Sequence, residues 1–504
     1  MASTVTQMEA PLKQKHPRGL YVLFFAEMWE RFSYYGMRAI LLLFLIDNIK
    51  GGMGLNEAEG AAIYGLYTAS VYLLSLPGGW MADNILGQKK AIWYGGIVIM
   101  LGHIVLAIPA GAAIFYLGLV LVALGTGLLK PNISSIVGEL YPEGGARRDA
   151  AFSIFYMGIN LGSFLGITIV GYLGQKVDWH MGFGAAAVGM LLGLIVFRYG
   201  SKKYLEGKGE PPVRAPQDTT AVATGSTNER IIGYGIIALM VAFLSVLQLT
   251  GAIDLTTAQG LAQGAGIIIV SVSFFYFIYI LVAGGLTPEE KRRVGVLIVF
   301  FLAAALFWSG FEQAGSSLQI FADRHTERTI GDWVIPSSWF QNFNPFFILL
   351  FAPVLASLWV YLAHRNINPS TPVKFAIGLI LLGLGFGVMV LAANNAVTGE
   401  LVSPLFLTFT YLLHTLGELC LSPVGLSTYT KLAPKRYVSQ LMGIWFVAAS
   451  LGNLIAGLFA GNFDEENVQQ MPALFNQVFL FAVGFGILLL LFYKPIKKWM
   501  GGIQ

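Results

Sequence analysis

Apolar runs of about twenty residues or more, set off by charges or by Gly and Pro, recur from one end of the chain to the other. Bounded in that way, twelve main spans fall near residues 20–46, 59–82, 90–109, 113–138, 150–174, 181–200, 293–322, 335–363, 372–393, 402–431, 438–460 and 475–494. Two more, near 231–250 and 262–283, sit between the sixth and seventh. A helix needs about 20 apolar residues to cross the hydrocarbon core, whereas a barrel strand needs only about 9–11. Lipid offers no partner to bare backbone, so spans of this length are helices. The expected class is an all-α polytopic membrane protein of fourteen helices in a six, two, six pattern. The divisions read as a tail (1–18), a first six-helix bundle (19–200), a polar linker (201–230), two additional helices (231–284), a second six-helix bundle (285–494) and a tail (495–504).

Charge adds an orientation. Of the 31 Lys and Arg residues, Lys50, Lys176, Arg324 and Arg328 fall in loops on one side, and Arg31, Arg38 and Lys130 lie within spans; the other 24 lie on the opposite side. Basic loops are retained in the cytoplasm, so both termini are expected to be cytoplasmic. Composition agrees with a membrane solvent: 56% of residues are hydrophobic and 12% charged, against about 25% charged in soluble domains. The net charge of +4 is scattered over many short loops and gives no basis for nucleic-acid binding. Cys420 is the single cysteine, so neither a disulfide nor a cysteine metal site is expected. The polar first 18 residues lead into an apolar helix without a small-residue cleavage pattern, so no cleaved signal peptide is expected.

Seven ionisable residues fall well inside spans: Glu27, Glu30, Arg31, Arg38, Lys130, Glu312 and Glu418. Each costs at least about 2.5 to 3.5 kcal/mol at a helix centre, which marks it by default as part of a pathway or site. On a helical wheel Glu27, Glu30, Arg31, Tyr34 and Arg38 share one stripe about 100° wide, which must face the bundle interior. Lys130 lies at a depth similar to Glu27–Arg31, within reach of them. A lysine beside two glutamates in low dielectric suits proton coupling; the competing reading is a fixed salt-bridge network that only sets helix packing. The second half carries only acids at depth, Glu312 and Glu418. Cations on one side of a cavity and carboxylates on the other suit a zwitterion, as an amino acid or peptide is. His103 and His414 read as helix-contact residues. With no ligand cluster, no metal is expected. No Walker loop, His-Glu-x-x-His or nucleophile elbow occurs, so no enzyme, cofactor or direct nucleotide drive is expected.

The run Glu27-Met28-Trp29-Glu30-Arg31-Phe32-Ser33-Tyr34-Tyr35-Gly36 resembles the ExxER(F)xYYG element of the proton-dependent oligopeptide transporter family within the major facilitator superfamily. Gly78–Gly87, Phe152–Phe164, Gly127–Asn132, Phe311-Glu312-Gln313 and Gly417–Pro423 are similar to further elements of that family, so the likeness covers nearly the whole chain. The resemblance implies a bacterial-type symporter in the inner membrane, taking di- and tripeptides with protons by alternating access, with a monomer as the default. It also implies roles. Arg38 and Lys130 correspond to residues that receive the peptide carboxylate, and Asn160, Asn342 and Glu418 to those that hold the amino terminus. Tyr34, Tyr35, Tyr72, Ser422 and Trp445 correspond to side-chain pocket residues. Glu27, Glu30, Arg31, Lys130 and Glu312 correspond to the proton-coupling group, with Arg38 and Glu312 also gating and Asp83 in a cytoplasmic loop signature that steadies one conformation. One position departs: mammalian members carry a histidine where this chain has Gly65. A carrier of another small zwitterion, or of an anion such as nitrate, is the alternative.

Overall fold

The structure, a computed structural model, describes residues 15–142, 145–210, 242–365, 367, 369–462 and 465–502. The first half contains α1 (Arg18–Ile46), α2 (Glu57–Met81), α3 (Gln88–Leu106), α4 (Ala112–Glu139), α5 (Gly145–Tyr172) and α6 (Trp179–Tyr204). After the linker come α7 (Ala258–Ala283), α8 (Pro288–Phe311), the short α9 (Ser317–Arg324), α10 (Phe343–His364), α11 (Thr371–Ala396), α12 (Leu405–Leu432), α13 (Val438–Ala460), α14 (Met471–Leu491) and the short α15 (Tyr493–Trp499). Among the described residues, 11 helical segments are long and apolar enough to cross a membrane. The 29-residue α1 and 25-residue α2 stand beside them; α1 has given up apolarity to its charged stripe. Of the span expected near 231–250, only 242–249 is described, and it is helical; the tail before residue 15 and most of the linker lie outside the described residues.

The chain starts its helices with local chemistry. Asn56, Asp178 and Thr257 accept backbone N–H groups at the first turns of α2, α6 and α7. Thr287 and Glu290 form a capping box on α8, satisfying donors that a helix start otherwise leaves bare. Within the membrane, small residues let helices close on one another. Gly162 and Gly166 of α5 lie on the Met28 and Phe32 carbonyls of α1, where a Cβ would collide with backbone.

Two apolar cores result. One is drawn almost wholly from α1–α6, around side chains such as Leu41, Ile99 and Phe183; the other from α7 onward, around Phe300, Phe375 and Phe386. The halves meet along α2 and α13. There Gly65 faces Gly457, and a Cβ on Gly65 would come within 2.9 Å of the Gly457 Cα. A histidine at position 65 would force α2 and α13 apart. α7 packs on α2 and α13, and Tyr276 on it donates to Gln440 Oε1 at 2.9 Å.

Two expected spans are broken. The span read as 293–322 stops at Phe311, passes through a 3₁₀ turn (Glu312–Gly315) and resumes as α9, with Ser316 at φ −128° and ψ −99°. The Gly315 Cα lies against the Tyr64 hydroxyl, where no side chain fits. The span read as 335–363 opens with a 3₁₀ turn (Ser337–Asn342) before α10. Thr329–Ile330 and Trp333–Val334 form a two-residue hairpin in the intervening loop, turning through Gly331 at φ +62°.

Asp47 closes α1. Its carboxylate accepts from the Trp179 indole at 2.9 Å and from the backbone N–H groups of Ile49, Lys50 and Gly52 at 3.2, 2.9 and 3.1 Å. Partial burial opposes its charge, but these hydrogen bonds outweigh it and hold the carboxyl below the usual aspartate range. A depressed pKa stabilises the fold above the unfolded-state value and loses that contribution as pH falls through the folded one. We expect Asp47→Ala to cost about 1 to 2 kcal/mol at pH 7. Thermal melts of the purified protein should show the gap to wild type closing only below the ordinary aspartate range.

Candidate functional site

All five residues of the α1 stripe are buried: Glu27 is 3% exposed, Glu30 0%, Arg31 3%, Tyr34 1% and Arg38 6%. The wheel had put them on one interior face, and the structure shows what that face holds. Arg31 Nε lies 2.7 Å from Glu27 Oε1 and 2.8 Å from Glu30 Oε2. One guanidinium therefore serves two carboxylates. Among the described residues neither Glu30 oxygen accepts a hydrogen bond and Arg31 Nη2 donates none, although all three atoms are buried. Two turns along the same face, Arg38 forms an ion pair with Glu312, from the break after α8, and its Nε donates to the Tyr64 hydroxyl at 2.6 Å. The Tyr35 and Tyr64 rings lie 5.9 and 5.7 Å from its guanidinium carbon. The 3₁₀ turn is what delivers Glu312 to Arg38.

Between the halves lies a cavity of about 130 Å³. From the first half it is lined by Tyr35, Arg38, Tyr72, Tyr156, Asn160 and Ser163, and from the second by Trp308, Glu312, Asn344, Tyr411, His414 and Glu418, among others. Tyr156, Asn160, Ser163 and Ile167 recur at helical spacing and form the α5 wall. Asn344 Nδ2 donates to Glu418 Oε2 at 3.0 Å and to Thr415 Oγ1 at 3.1 Å. The cavity thus has a cation with its counter-ion at one side and a carboxylate held by an amide at the other.

Several sequence expectations fall differently. Asn342 is not on the cavity: it ends the 3₁₀ turn and donates to Thr168 Oγ1 of α5 at 2.9 Å. Two residues later, Asn344 is the amide that reaches Glu418. Lys130 was within reach of the glutamates by depth, but no ion pair within 4.0 Å joins them among the described residues. Its ammonium lies 3.8 Å above the centroid of the Tyr72 ring, which itself lines the cavity. Tyr34 is buried behind Tyr35, with the rings edge to face at 5.2 Å. Trp445 packs on Tyr429 and over Gly425 rather than on the cavity, and Ser422 lies one turn beyond Glu418 outside the lining. Asp83 is exposed in a π-type turn after α2, far along that helix from the cavity. His414, read from sequence as a helix contact, both packs on Phe386 at 4.9 Å and borders the cavity. The α5 periodicity was a signal available for Tyr156; the Asn342-Phe343-Asn344 choice had none without the 3₁₀ turn.

Direct bonds between the halves gather at the end that carries Lys50, Lys176, Arg324 and Arg328. Arg324 pairs with Glu57. Gln175 on the turn after α5 donates to Ser337 Oγ at 2.8 Å and accepts from the Ser338 N–H at 3.0 Å, and the Trp339 indole donates to the Thr168 carbonyl at 3.0 Å. The cavity is closed at this basic-poor end.

Residues 89–478 match the model of the POT family. The chain is 41% identical to the peptide transporter YePEPT of Yersinia enterocolitica, covering 97% of this chain and 96% of that one. It is 37% identical to a di-/tripeptide transporter of Lactococcus lactis subsp. cremoris, covering 97% of each. A variant of peptide transporter POT solved with alafosfalin superimposes with a TM-score of 0.84 at 42% identity, covering 96% of each chain.

Removing one partner of a buried ion pair strands the other, at about 3–5 kcal/mol. We expect Glu312→Ala to lower the melting temperature more than the double change R38M/E312A does. Differential scanning fluorimetry on the purified protein checks this.

Proposed function

The chain belongs to the POT family, and on that premise we propose that it is a proton-coupled symporter that imports di- and tripeptides across the inner membrane as a monomer, with both termini cytoplasmic. The observation that carries this reading is the cavity between the halves, with Arg38 and Glu312 at one side and Glu418 with Asn344 at the other. A peptide is a zwitterion whose two charges need those two ends. The relatives named as peptide transporters support the same substrate class.

Charge balance links the peptide to a proton. The core holds four carboxylates, Glu27, Glu30, Glu312 and Glu418, against three cations, Arg31, Arg38 and Lys130. With all seven ionised the site is one negative charge from neutral, and a single proton removes that excess. A zwitterionic peptide adds no net charge, so it does not replace the proton. Glu312 is the ligand that a substrate carboxylate must displace from Arg38, and protonation of Glu312 releases Arg38 for that exchange. The bare oxygens of Glu30 give a second place for a proton, beside the arginine that also serves Glu27. Lys130, held over Tyr72 rather than locked to a carboxylate, is free to meet the same substrate carboxylate. The substrate ammonium then goes to Glu418, positioned by Asn344, with Asn160 on the facing wall.

Alternating access follows from where the halves hold together. The Arg324–Glu57 pair at the basic-poor end and the Arg38–Glu312 pair two turns deeper belong to a conformation closed to the outside. In the conformation open to the outside, protonated Glu312 leaves Arg38 to the peptide carboxylate, and loss of the peptide and the proton to the inside lets the Arg38–Glu312 pair form again.

In proteoliposomes with an inward proton gradient, labelled dialanine should accumulate, and an ionophore that collapses the gradient should abolish accumulation. Asn344→Ala should reduce uptake about tenfold or more, through loss of Glu418 positioning, while Asn342→Ala should leave the KM for dialanine near wild type. Dialanine that fails to enter even by counterflow would contradict the reading.

A further inference from the structure

The four Lys and Arg residues of the basic-poor loops, Lys50, Lys176, Arg324 and Arg328, come from three separate stretches of sequence, yet all four line one open cleft of about 1130 Å³. Three carboxylates share it: Asp47, Glu57 and Asp323. Two of these are committed to the arginines, Glu57 to Arg324 and Asp323 to Arg328 at 3.2 Å. The third is committed to hydrogen bonds, since Asp47 is held by the Trp179 indole and three backbone N–H groups. Among the described residues neither the Lys50 nor the Lys176 ammonium lies within 4.0 Å of a carboxylate. Among the described residues Lys50 Nζ reaches only the Gln175 carbonyl, at 3.4 Å.

We propose that this cleft is an outer anion-capture site, in which Lys50 and Lys176 draw the carboxylate of an incoming peptide, and most strongly a peptide with an acidic side chain, into the mouth of the transport path. The assignment rests on the peptide-import reading and names a substrate preference within it. Its physical basis is the placement of charge. Every Lys and Arg of the basic-poor loops is gathered at the junction of the two halves. The cleft carries four cations against three carboxylates, and because those carboxylates are engaged by the arginines, the Trp179 indole and backbone N–H groups, its excess positive charge sits at Lys50 and Lys176. A cleft that focuses such an excess raises encounter rates for the opposite charge by about 10-fold or more. Structural pairing accounts for the arginines and leaves the two lysines unspent. The cleft lies above the Arg38–Glu312 latch, since Leu43, Ile46 and Asp47 at the end of α1 form its wall and Arg38 lies on the same helix two turns deeper. A carboxylate held at the lysines is therefore on the route to the next cation inward.

The test compares alanyl-glutamate, dialanine and alanyl-lysine in proteoliposomes with the membrane potential clamped at zero. Wild type should show the highest ratio of maximal rate to KM for alanyl-glutamate at low ionic strength, with the three peptides converging at high salt, where the Debye length shrinks below about 8 Å. In K50Q/K176Q that ratio should fall about threefold to tenfold for alanyl-glutamate at low salt. The maximal rate at saturating peptide and the alanyl-lysine ratio should stay at wild-type levels. An unchanged peptide order and salt dependence in K50Q/K176Q, with dialanine still accumulating, would overturn the capture site and leave peptide import standing. Failure of wild type to take up any of the three would overturn both.

Discussion

Charge buried in hydrocarbon must be compensated within reach, and that requirement organises this molecule. Arg31 and Arg38 on α1 cannot face lipid, so α1 turns its charged stripe inward and sets the interior of the first half. The two glycines of α5 that let it sit against the α1 backbone bring the Tyr156, Asn160 and Ser163 face to the same interior. From the second half, α8 breaks after Phe311 so that Glu312 can meet Arg38. The most buried inter-half ion pair, the helix break and the cavity are thus consequences of one constraint.

The compensation is incomplete in a way that matters. A single guanidinium is divided between Glu27 and Glu30, and Lys130 is held by an aromatic face. A fully paired network would be a fixed strut, as in a structural buried salt bridge. The excess of acids is the feature on which the proposed dependence on a proton and a substrate carboxylate rests. The same pattern recurs at the basic-poor end, where arginines are paired across and within the halves while, among the described residues, Lys50 and Lys176 are not.

Much of this was legible in the chain. The all-α class, most of the spans and the buried α1 stripe follow from apolar length and a 100° periodicity, because lipid leaves bare backbone no alternative to helix. Glu312 and Glu418 stood out because acids inside apolar runs are costly. What the sequence hid was register. The 3₁₀ turns at Glu312–Gly315 and Ser337–Asn342 shift side-chain directions by a residue or two, so that Asn344 reaches Glu418 while Asn342 turns to Thr168. Trp445 and Ser422 sit on helices that do bound the interior, but their direction depends on α12 and α13 packing that periodicity alone does not fix. The cleft at the basic-poor end was hidden for another reason: its four cations come from three distant stretches of sequence, and only the fold brings them together.

The proposed coupling of peptide and proton runs through one charge network, and linkage requires that coupling to be reciprocal. The direct measurement is the proton count on binding: dialanine is titrated into purified protein in weakly buffered detergent solution near pH 7 while pH is recorded. Net proton uptake that saturates with the peptide, and is diminished in Glu312→Gln, is the expected result. Binding of dialanine with no proton exchanged, or with protons released, would contradict it.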